Sequence, residues 1–303
     1  MPRASSALSL LLVLFTAGLA SRPGAQGFEN VRVQTHQVAP GVYMLTGRGG
    51  NIGVSVGKDG VFLIDDQFGE ITPKIRAAIA KLSDQPIRFV LNTHWHRDHT
   101  GGNENLARAG SLVLAHDNVR KRMSVEQFNK LSGRRTPASA KGALPVVTFN
   151  DTLTFHLNDL EVHAFHVESG HTDGDAIVHF RNINVIHMGD IHFNGRYPFI
   201  DLASGGSVDG TIAAVERALS LMDRKTRVIP GHGPLSNHAE LRVYHGMLVT
   251  LRQRVRDAIA RGQTLEQVLT ARPTAEFDAG WGGGFVSFER FTRILYQDLS
   301  RRD

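Results

Sequence analysis

A dense group of metal-binding side chains, HWHRDH, follows an apolar stretch and constrains the fold more than any other feature of this 303-residue chain. The stretch at residues 87–91 has the length and composition of a buried strand. In the extended backbone after a strand, residues i and i+2 point the same way, so His94 and His96 are able to bind one ion. A turn into a helix then brings Asp98 and His99 to a neighbouring position. The sequence therefore predicts a metal site just beyond a strand end.

Three further metal-binding side chains lie next to glycine, each soon after a predicted strand. They are His171 in SGHTDGD, Asp190 in MGD and His232 in PGHGP. Taken singly, each is typical of a turn residue or of a hydrogen-bonded structural histidine. Together they supply the ligands that the HWHRDH group lacks, because loops at strand exits can converge on one point.

The rest of the pattern divides into two strand-rich halves, each accompanied by helices. The first half has predicted strands at 31–38, 41–46, 52–56 and 61–64, and a helix at 71–82. The second has strands at 146–149, 153–157, 162–167, 176–180, 185–188 and 227–229, and helices at 208–222 and 240–261. The tail, 265–299, has a helical pattern with a glycine-rich break. We expect an α/β protein, a four-layer αββα sandwich with two sheets face to face and helices outside.

Residues 1–25 have the pattern of a secretory signal peptide. Arg3 precedes an apolar run at 7–15, and small residues follow as far as Ala20 and Ala25. The run is too short for a typical membrane span, although an N-terminal anchor is the alternative. We therefore expect a periplasmic or secreted protein with no integral span after cleavage. Residues 26–303 are then one domain with a C-terminal helical extension.

The cysteine content and the charge of the chain exclude several kinds of site and partner. The chain has no cysteine, which excludes disulfides, a thiolate nucleophile and any cysteine-ligated metal. Its formal charge is +5, and basic residues are concentrated between positions 120 and 141. Neither interleaved aromatic residues nor a nucleic-acid motif accompanies them, so we predict no nucleic-acid partner. We expect a solvated face or a rim that attracts an anionic small-molecule substrate. Residues 118–144 are a surface helix and loop or a lid over that substrate.

The order HxHxDH, GH, GD and GHG, at these intervals, resembles the metallo-β-lactamase superfamily from about residue 28 to at least 235. The resemblance implies two zinc ions with a water-derived hydroxide between them. It also implies which residues bind them: His94, His96 and His171 the first ion, Asp98, His99 and His232 the second, with Asp190 bridging. In this scheme Asp98 is also catalytic, because it orients the attacking oxygen.

One position departs from the best-known antibiotic-resistance enzymes of that superfamily. They carry a cysteine where this chain has Asp190, and the aspartate instead resembles glyoxalase-II-like and other hydrolytic branches. A bridging carboxylate suits two closely spaced ions and leaves iron or manganese open beside zinc. The departure puts the β-lactam substrate in doubt and leaves the metal site intact.

The resemblance and the signal peptide together imply an exported binuclear zinc hydrolase of a cyclic amide or ester, with a β-lactam as the first expectation. A lactone, thioester or phosphodiester hydrolase of the same fold is the alternative enzyme. A periplasmic metal-binding accessory protein without turnover is the alternative outside catalysis.

Residues just after Asp190 resemble the position where related enzymes hold a substrate carboxylate. They are Asn194, Arg196 and Tyr197, and the guanidinium of Arg196 is suited to binding a carboxylate through two hydrogen bonds. A structural ion pair with an aspartate such as Asp201 is the alternative role for Arg196. The glycine-rich segment 48–51 lies where superfamily members have a mobile flap.

Overall fold

The computed structural model describes Met1 and residues 27–129 and 133–301. Its strands are β1 (Gln34–Ala39), β2 (Val42–Thr46), β3 (Ile52–Gly57), β4 (Gly60–Ile64), β5 (Ile87–Asn92), β6 (Leu112–His116), β7 (Gln127–Asn129), β8 (Arg134–Thr136), β9 (Val147–Phe149), β10 (Thr152–Leu157), β11 (Leu160–His166), β12 (Ala176–Phe180), β13 (Val185–His187), β14 (Arg227–Ile229) and β15 (Ser236–Asn237). Apart from Met1, the predicted signal peptide lies outside the described residues.

The helices lie mainly after β4, around the histidine string and in the C-terminal third. They are α1 (Thr72–Ile79), α2 (Arg97–Thr100), α3 (Asn103–Arg108), α4 (Asp117–Met123), α5 (Val208–Ser220), α6 (His238–Ala260), α7 (Leu265–Ala271), α8 (Asp278–Trp281) and α9 (Phe288–Leu299). Among the described residues, no helix combines the length and apolar character needed to cross a bilayer.

The strands form two large sheets. One has the order β1-β2-β3-β4-β5-β6-β9, and the other has the order β10-β11-β12-β13-β14-β15. β4, β5, β6 and β9 run parallel to one another, as do β13 and β14, while the other neighbours are antiparallel. A separate hairpin joins β7 to β8.

Side-chain alternation along the strands builds apolar layers on both faces of each sheet. In β4, Phe62 packs between the two sheets, whereas its neighbour Leu63 packs on the side of α1. On the far side of the second sheet, α5, α6 and α9 contribute Val215, Leu248 and Leu295 to one buried cluster. The order of layers is thus helix, sheet, sheet, helix, and the expected αββα sandwich is confirmed.

The described elements differ from the predicted ones mainly between β5 and β9. The strand β6 was not predicted, because its short apolar run lies next to the charged segment and resembles a loop in the sequence. The segment predicted as a surface helix and loop or a lid contains α4 and the β7–β8 hairpin. Three-residue strands are too short to give a periodic signal. In the hairpin, the Asn129 side chain donates to Asp201 at 3.3 Å, so this segment borders the predicted site.

The predicted ligands lie where strands of the two sheets end. The HWHRDH string follows β5, His171 follows β11, Asp190 follows β13 and His232 follows β14. β13 and β14 are parallel, and β11 runs in the same direction because two antiparallel pairings separate it from β13. Their carboxyl ends therefore meet at one edge of the second sheet, facing the end of β5 in the first.

A pair of histidines joins the two sheets away from this edge. His116 ends β6, and its ring stacks on His166 at the end of β11 with centroids 3.8 Å apart and planes 7° apart. Its Nδ1 atom also accepts a hydrogen bond from the backbone N–H of Asn118 and caps α4. Burial, and then the neighbouring His166 ring, lower the pKa of His116 to about 4. The fold therefore favours the neutral form of this ring.

We predict that His116 makes the protein less stable in acid. The unfolded chain protonates this residue near pH 6.5 and the folded chain only near pH 4, so its stabilising contribution is complete above about pH 6.5 and is lost as the pH falls towards about 4. His116→Asn keeps a capping side chain but removes this titration. Between about pH 7.5 and about pH 5, urea unfolding of the wild type should lose about 1 kcal/mol more than the variant, allowing for solvent screening. Equal losses would contradict the prediction.

Candidate metal centre

The HWHRDH string has the two-part geometry expected from its spacing. His94 lies in a bend after β5, and His96 lies on extended backbone as the N-cap residue of α2. Asp98 and His99 lie inside that one-turn helix, so their side chains leave the backbone in a different direction. The expectation that one string serves two neighbouring positions is confirmed in its geometry.

Seven predicted side chains come together in two groups. In each group, one potential ligand atom per residue lies within 4.8 Å of the others. The first group contains His94, His96, His171 and Asp190, and the second contains Asp98, His99 and His232. The structure therefore brings all seven predicted ligands to one place.

Asp190 connects the two groups through its two carboxylate oxygens. Its Oδ2 atom lies 3.8 Å from Nε2 of His94 and 3.6 Å from Nε2 of His171. Its Oδ1 atom lies 3.1 Å from Nε2 of His99 and 3.4 Å from Nε2 of His232. One carboxylate thus faces both groups, which is the arrangement that a bridging ligand requires.

The donor set fits divalent metal ions. Nε2 of His94 and Oδ1 of Asp190 are buried and have no hydrogen-bond partner among the described residues. Buried polar atoms ordinarily form hydrogen bonds, so two potential ligand atoms in this cluster without such a partner indicate a place for a cation. Imidazole and carboxylate donors without thiolate suit zinc, iron or manganese. The residues present therefore fit a two-metal centre.

Hydrogen bonds from outside the cluster fix the ring orientation of three of its five histidines. Nδ1 of His99 lies 2.8 Å from Oδ2 of Asp65, and Nε2 of His96 lies 3.0 Å from Oδ2 of Asp201. Nδ1 of His171 lies 2.6 Å from the carbonyl oxygen of Phe199. These contacts occupy one nitrogen of each ring and leave the other directed at the cluster, which is the usual support for metal-binding histidines.

Burial and the neighbouring carboxylates shift the pKa values of four histidines of the centre in two different directions. Burial lowers the pKa of His94 well below its usual value and that of His171 to about 4. Burial also opposes protonation of His232, but Asp190 and Asp98 outweigh it and raise its pKa to about 9. His99 is likewise raised well above its usual pKa by the carboxylates around it, against the effect of burial. The neighbouring carboxylates thus stabilise positive charge on the histidines of the second group more strongly than on those of the first.

Two glycines let backbone approach the cluster. A Cβ atom at Gly50 would lie 2.1 Å from Cε1 of His99, and one at Gly231 would lie 2.1 Å from Oδ1 of Asp190. Gly50 N donates to the carbonyl oxygen of Asp98 at 3.0 Å, and Asn51 N donates to that of Gly231 at 2.7 Å. The segment 48–51, expected as a flap, is therefore hydrogen-bonded to the centre in this structure.

Sequence reasoning missed the residues that support the ligands. Asp65 and Asp201 carry the carboxylates behind His99 and His96, and Thr93 donates to Asp65 through its backbone N–H at 2.7 Å and its hydroxyl at 2.8 Å. A signal for Asp65 was present, because Asp65-Asp66 directly follows the apolar strand β4 just as HWHRDH follows β5. Asp65 also has a positive φ of 64°, which is uncommon for aspartate.

The structure separates the three predicted substrate residues. Tyr197 is 1% exposed, its ring stacks on Phe291, and its hydroxyl donates to Asp278 at 2.8 Å. The prediction that Tyr197 contacts substrate is therefore wrong, since its ring and hydroxyl are used in the core under the C-terminal helices.

The other two predicted substrate residues, Asn194 and Arg196, differ in their hydrogen bonds to the protein. The Asn194 amide donates to Glu240 and to the carbonyl oxygen of Pro234, both at 3.1 Å. Nε of Arg196 is buried without a hydrogen-bond partner among the described residues. Asp201, the alternative partner considered for Arg196, pairs instead with His96. Among the described residues, the Asn194 amide thus has protein partners, whereas Nε of Arg196 has none.

We predict that Asp65→Asn weakens metal binding at the group that contains His99. Asparagine tolerates a positive φ and matches aspartate in size, so the backbone stays in place. Its amide cannot supply the carboxylate that orients Nδ1 of His99, and the metal affinity should fall about 10- to 100-fold. Competition with a chromophoric chelator measures this affinity. Asp159→Asn, at an exposed residue paired with Lys58, is the control. An affinity equal to that of the wild type would rule out the supporting role.

Comparison with known proteins places these observations in a family. The sequence pattern of the metallo-beta-lactamase superfamily matches residues 45–232. A Bacillus subtilis (strain 168) protein named "probable metallo-hydrolase YqgX" is 28% identical over 179 residues, which are 57% of this chain and 80% of that protein. A hydroxyacylglutathione hydrolase of Pelagibacter ubique (strain HTCC1062) is 25% identical over 195 residues, which are 61% of this chain and 70% of that protein.

Solved structures with similar folds include a metallo-beta-lactamase from Pontibacter korlensis. It has a TM-score of 0.60 and 19% identity, covering 72% of this chain and 99% of that chain. The DIM-1 metallo-beta-lactamase has a TM-score of 0.58 and 20% identity, covering 73% of this chain and 99% of that chain. These likenesses establish the fold, and the sequence match spans more than half of the chain. The chain therefore belongs to the metallo-beta-lactamase superfamily and is a metal-binding hydrolase of that fold.

Proposed function

We propose that this chain is a binuclear zinc hydrolase that cleaves an activated acyl bond. The observation that carries the proposal is the position of Asp190, whose two oxygens face two separate histidine groups. A shared carboxylate supports two ions held close together, as in two-metal hydrolases. Zinc is the first choice because imidazoles dominate the donor set, although the carboxylates also suit iron or manganese.

Metal ions bound at these two groups would act as Lewis acids on the substrate carbonyl and would activate water near neutral pH. The chain's own contribution is to position the reactants. Asp98 has the most exposed side chain of the seven ligands, at 29%, and its Oδ2 atom lies 3.3 Å from Nε2 of His232. Burial opposes its ionisation, but His99 and His232 hold the pKa of Asp98 well below its usual value. An ionised, accessible carboxylate is suited to accept a hydrogen bond from the attacking water and so to orient it.

Two observations favour an ester or thioester substrate over a β-lactam. Asp190 stands where a cysteine is typical of the best-known antibiotic-resistance enzymes, and several of the curated relatives are named hydroxyacylglutathione hydrolase. The two metallo-beta-lactamase structures described above are 19% and 20% identical to this chain and support only the shared fold. The order of expectation is therefore thioester or lactone first and β-lactam second.

Export belongs to the proposal as well. We infer from the sequence pattern of residues 1–25 that the protein acts in the periplasm or outside the cell. We also propose that Arg196 attracts the anionic part of the substrate, because its buried Nε has no partner among the described residues. A carboxylate is the natural ligand for such a guanidinium.

Elemental analysis tests the binuclear centre. We expect about two zinc ions per purified chain, and a marked decrease in Asp190→Ala because the shared ligand is lost. Asp257→Ala, which removes an exposed carboxylate on α6, should keep the full metal content. A single tightly bound ion that is unaffected by Asp190→Ala would overturn the binuclear proposal.

A panel of four substrates tests the reaction. S-D-lactoylglutathione and an N-acyl homoserine lactone should be turned over well above background, and a chelator should abolish this turnover until zinc is restored. Turnover of nitrocefin alone would identify a β-lactamase, and turnover of bis-p-nitrophenyl phosphate alone a phosphodiesterase. Background rates on all four by a protein that holds two metal ions would favour the accessory-protein alternative and contradict the acyl-hydrolase proposal.

A further inference from the structure

The C-terminal extension reaches the entrance of the metal centre. The ring of Phe199 lies 6.1 Å from that of His96 and 5.9 Å from that of His171, and its carbonyl oxygen bonds to the latter. The ring of Phe199 also lies 6.3 Å from that of Phe285, which comes just after three consecutive glycines in the tail. Phe285 is 75% exposed, so its ring is open to a molecule in solution. The tail thus supplies an aromatic side chain to the region next to the ligands.

Arg290 lies over both of these rings. Its Cζ atom is 5.0 Å from the Phe199 centroid and 4.3 Å from the Phe285 centroid. The Phe199 ring in turn lies 6.1 Å from the ring of His96. Together, the two distances place the Arg290 guanidinium within about 11 Å of the His96 ring. The charge is therefore within reach of a small substrate bound at the metals.

This guanidinium has no acidic partner among the described residues, although it is half-buried. Four other arginines of the same helical layer form ion pairs: Arg252 and Arg256 with Asp209, Arg254 with Glu276 and Arg272 with Asp278. Aromatic contact attracts a guanidinium but satisfies none of its five N–H donors in the plane of the group. Burial accordingly lowers the pKa of Arg290. A partly desolvated cation without a carboxylate is a favourable place for an external anion.

A second such guanidinium lies beneath the same loop. A Cβ atom at Gly284 would lie 2.8 Å from Cβ of Arg196, so the loop backbone packs directly on that side chain. Arg196 also has a buried Nε atom without a described partner. Gly284 thus packs on Arg196 and Phe285 on Arg290, and neither arginine forms an ion pair with a described carboxylate.

We propose that Arg290, held against Phe199 and Phe285, binds the carboxylate of an acyl substrate whose scissile bond lies at the metal centre. The ligand class is a carboxylic acid derivative with a flat apolar group: the carboxylate pairs with the guanidinium, and the apolar group lies against the exposed Phe285 ring. The inference rests on the proposed acyl-hydrolase function and specifies the substrate class of that site.

Direct binding tests the inference without any need for turnover. The probe is phenylacetylglycine, which carries an aromatic ring and a carboxylate, and its neutral control is phenylacetylglycinamide. Calorimetric titration of the zinc-loaded wild type should give acid binding about 10-fold tighter than amide binding. Arg290→Met should weaken binding of the acid about 10- to 100-fold and leave that of the amide unchanged. Arg293→Met removes an exposed arginine from the same helix and should change neither.

Two further variants separate recognition from folding. Arg290→Lys keeps the charge but loses the two-point contact with a carboxylate, so it should bind the acid with intermediate affinity. Phe285→Ala keeps the guanidinium and should weaken both probes several-fold. Acid binding by Arg290→Met equal to that of the wild type, or an equal loss in Arg293→Met, would overturn the inference.

Kinetics distinguishes this inference from the function on which it rests. For a carboxylate-bearing substrate that the wild type hydrolyses, Arg290→Met should raise KM about 10-fold or more while kcat changes little. If no substrate is hydrolysed but acid binding still depends on Arg290, the proposed function fails and the anion site stands. If hydrolysis is normal and KM is unchanged in Arg290→Met, the anion site fails and the proposed function stands.

Discussion

The buried carboxylate of Asp190 is the interaction on which the rest of the site depends. A carboxylate at this depth is stable as an anion only when positive or hydrogen-donating groups surround it. Burial opposes the charge, and the facing histidines, led by His232 and His99, outweigh it and hold the pKa of Asp190 well below its usual value. The local design follows from this requirement. Gly231 lets a loop approach Oδ1 at a distance that no side chain would allow, and Asp65 fixes the ring of His99 that faces the same oxygen.

The sequence predicted the layers and the ligands because both leave local signals. Strands of five or six residues alternate between faces, and HWHRDH carries its geometry within six positions. The supporting carboxylate of Asp201 leaves no such signal, since its partner His96 is 105 positions away and only the fold brings them together. Tyr197 was misassigned for a related reason. Its closeness in sequence to Asp190 suggested that it lies at the metal centre. In the structure its ring instead stacks on Phe291 of the C-terminal helix α9.

The predicted metal ligands and the residues that we infer to bind the substrate carboxylate lie in different parts of the chain. All seven ligands lie within the segment that matches the superfamily pattern, residues 45–232. Phe285 and Arg290 lie outside it, in the tail that the sequence predicted to be helical with a glycine-rich break. Their importance could not be predicted from the sequence, because an arginine is unpaired only by virtue of which acidic side chains the fold places elsewhere. Four other arginines in the same layer do have such partners.

The exposure of the ligands defines the direction from which a substrate arrives. Four of the seven have side chains that are at most 5% exposed, and the open ones are Asp98 at 29%, His232 at 19% and His96 at 17%. These three side chains are therefore the ones that a substrate arriving from solvent is expected to contact first. Phe199 and Arg290 adjoin the His96 side, whereas Phe193 stacks on the ring of His232. The His96 side thus carries the positive charge of Arg290, whereas the His232 side adjoins an apolar ring. We therefore expect an anionic acyl group to lie on the His96 side and the leaving group on the His232 side.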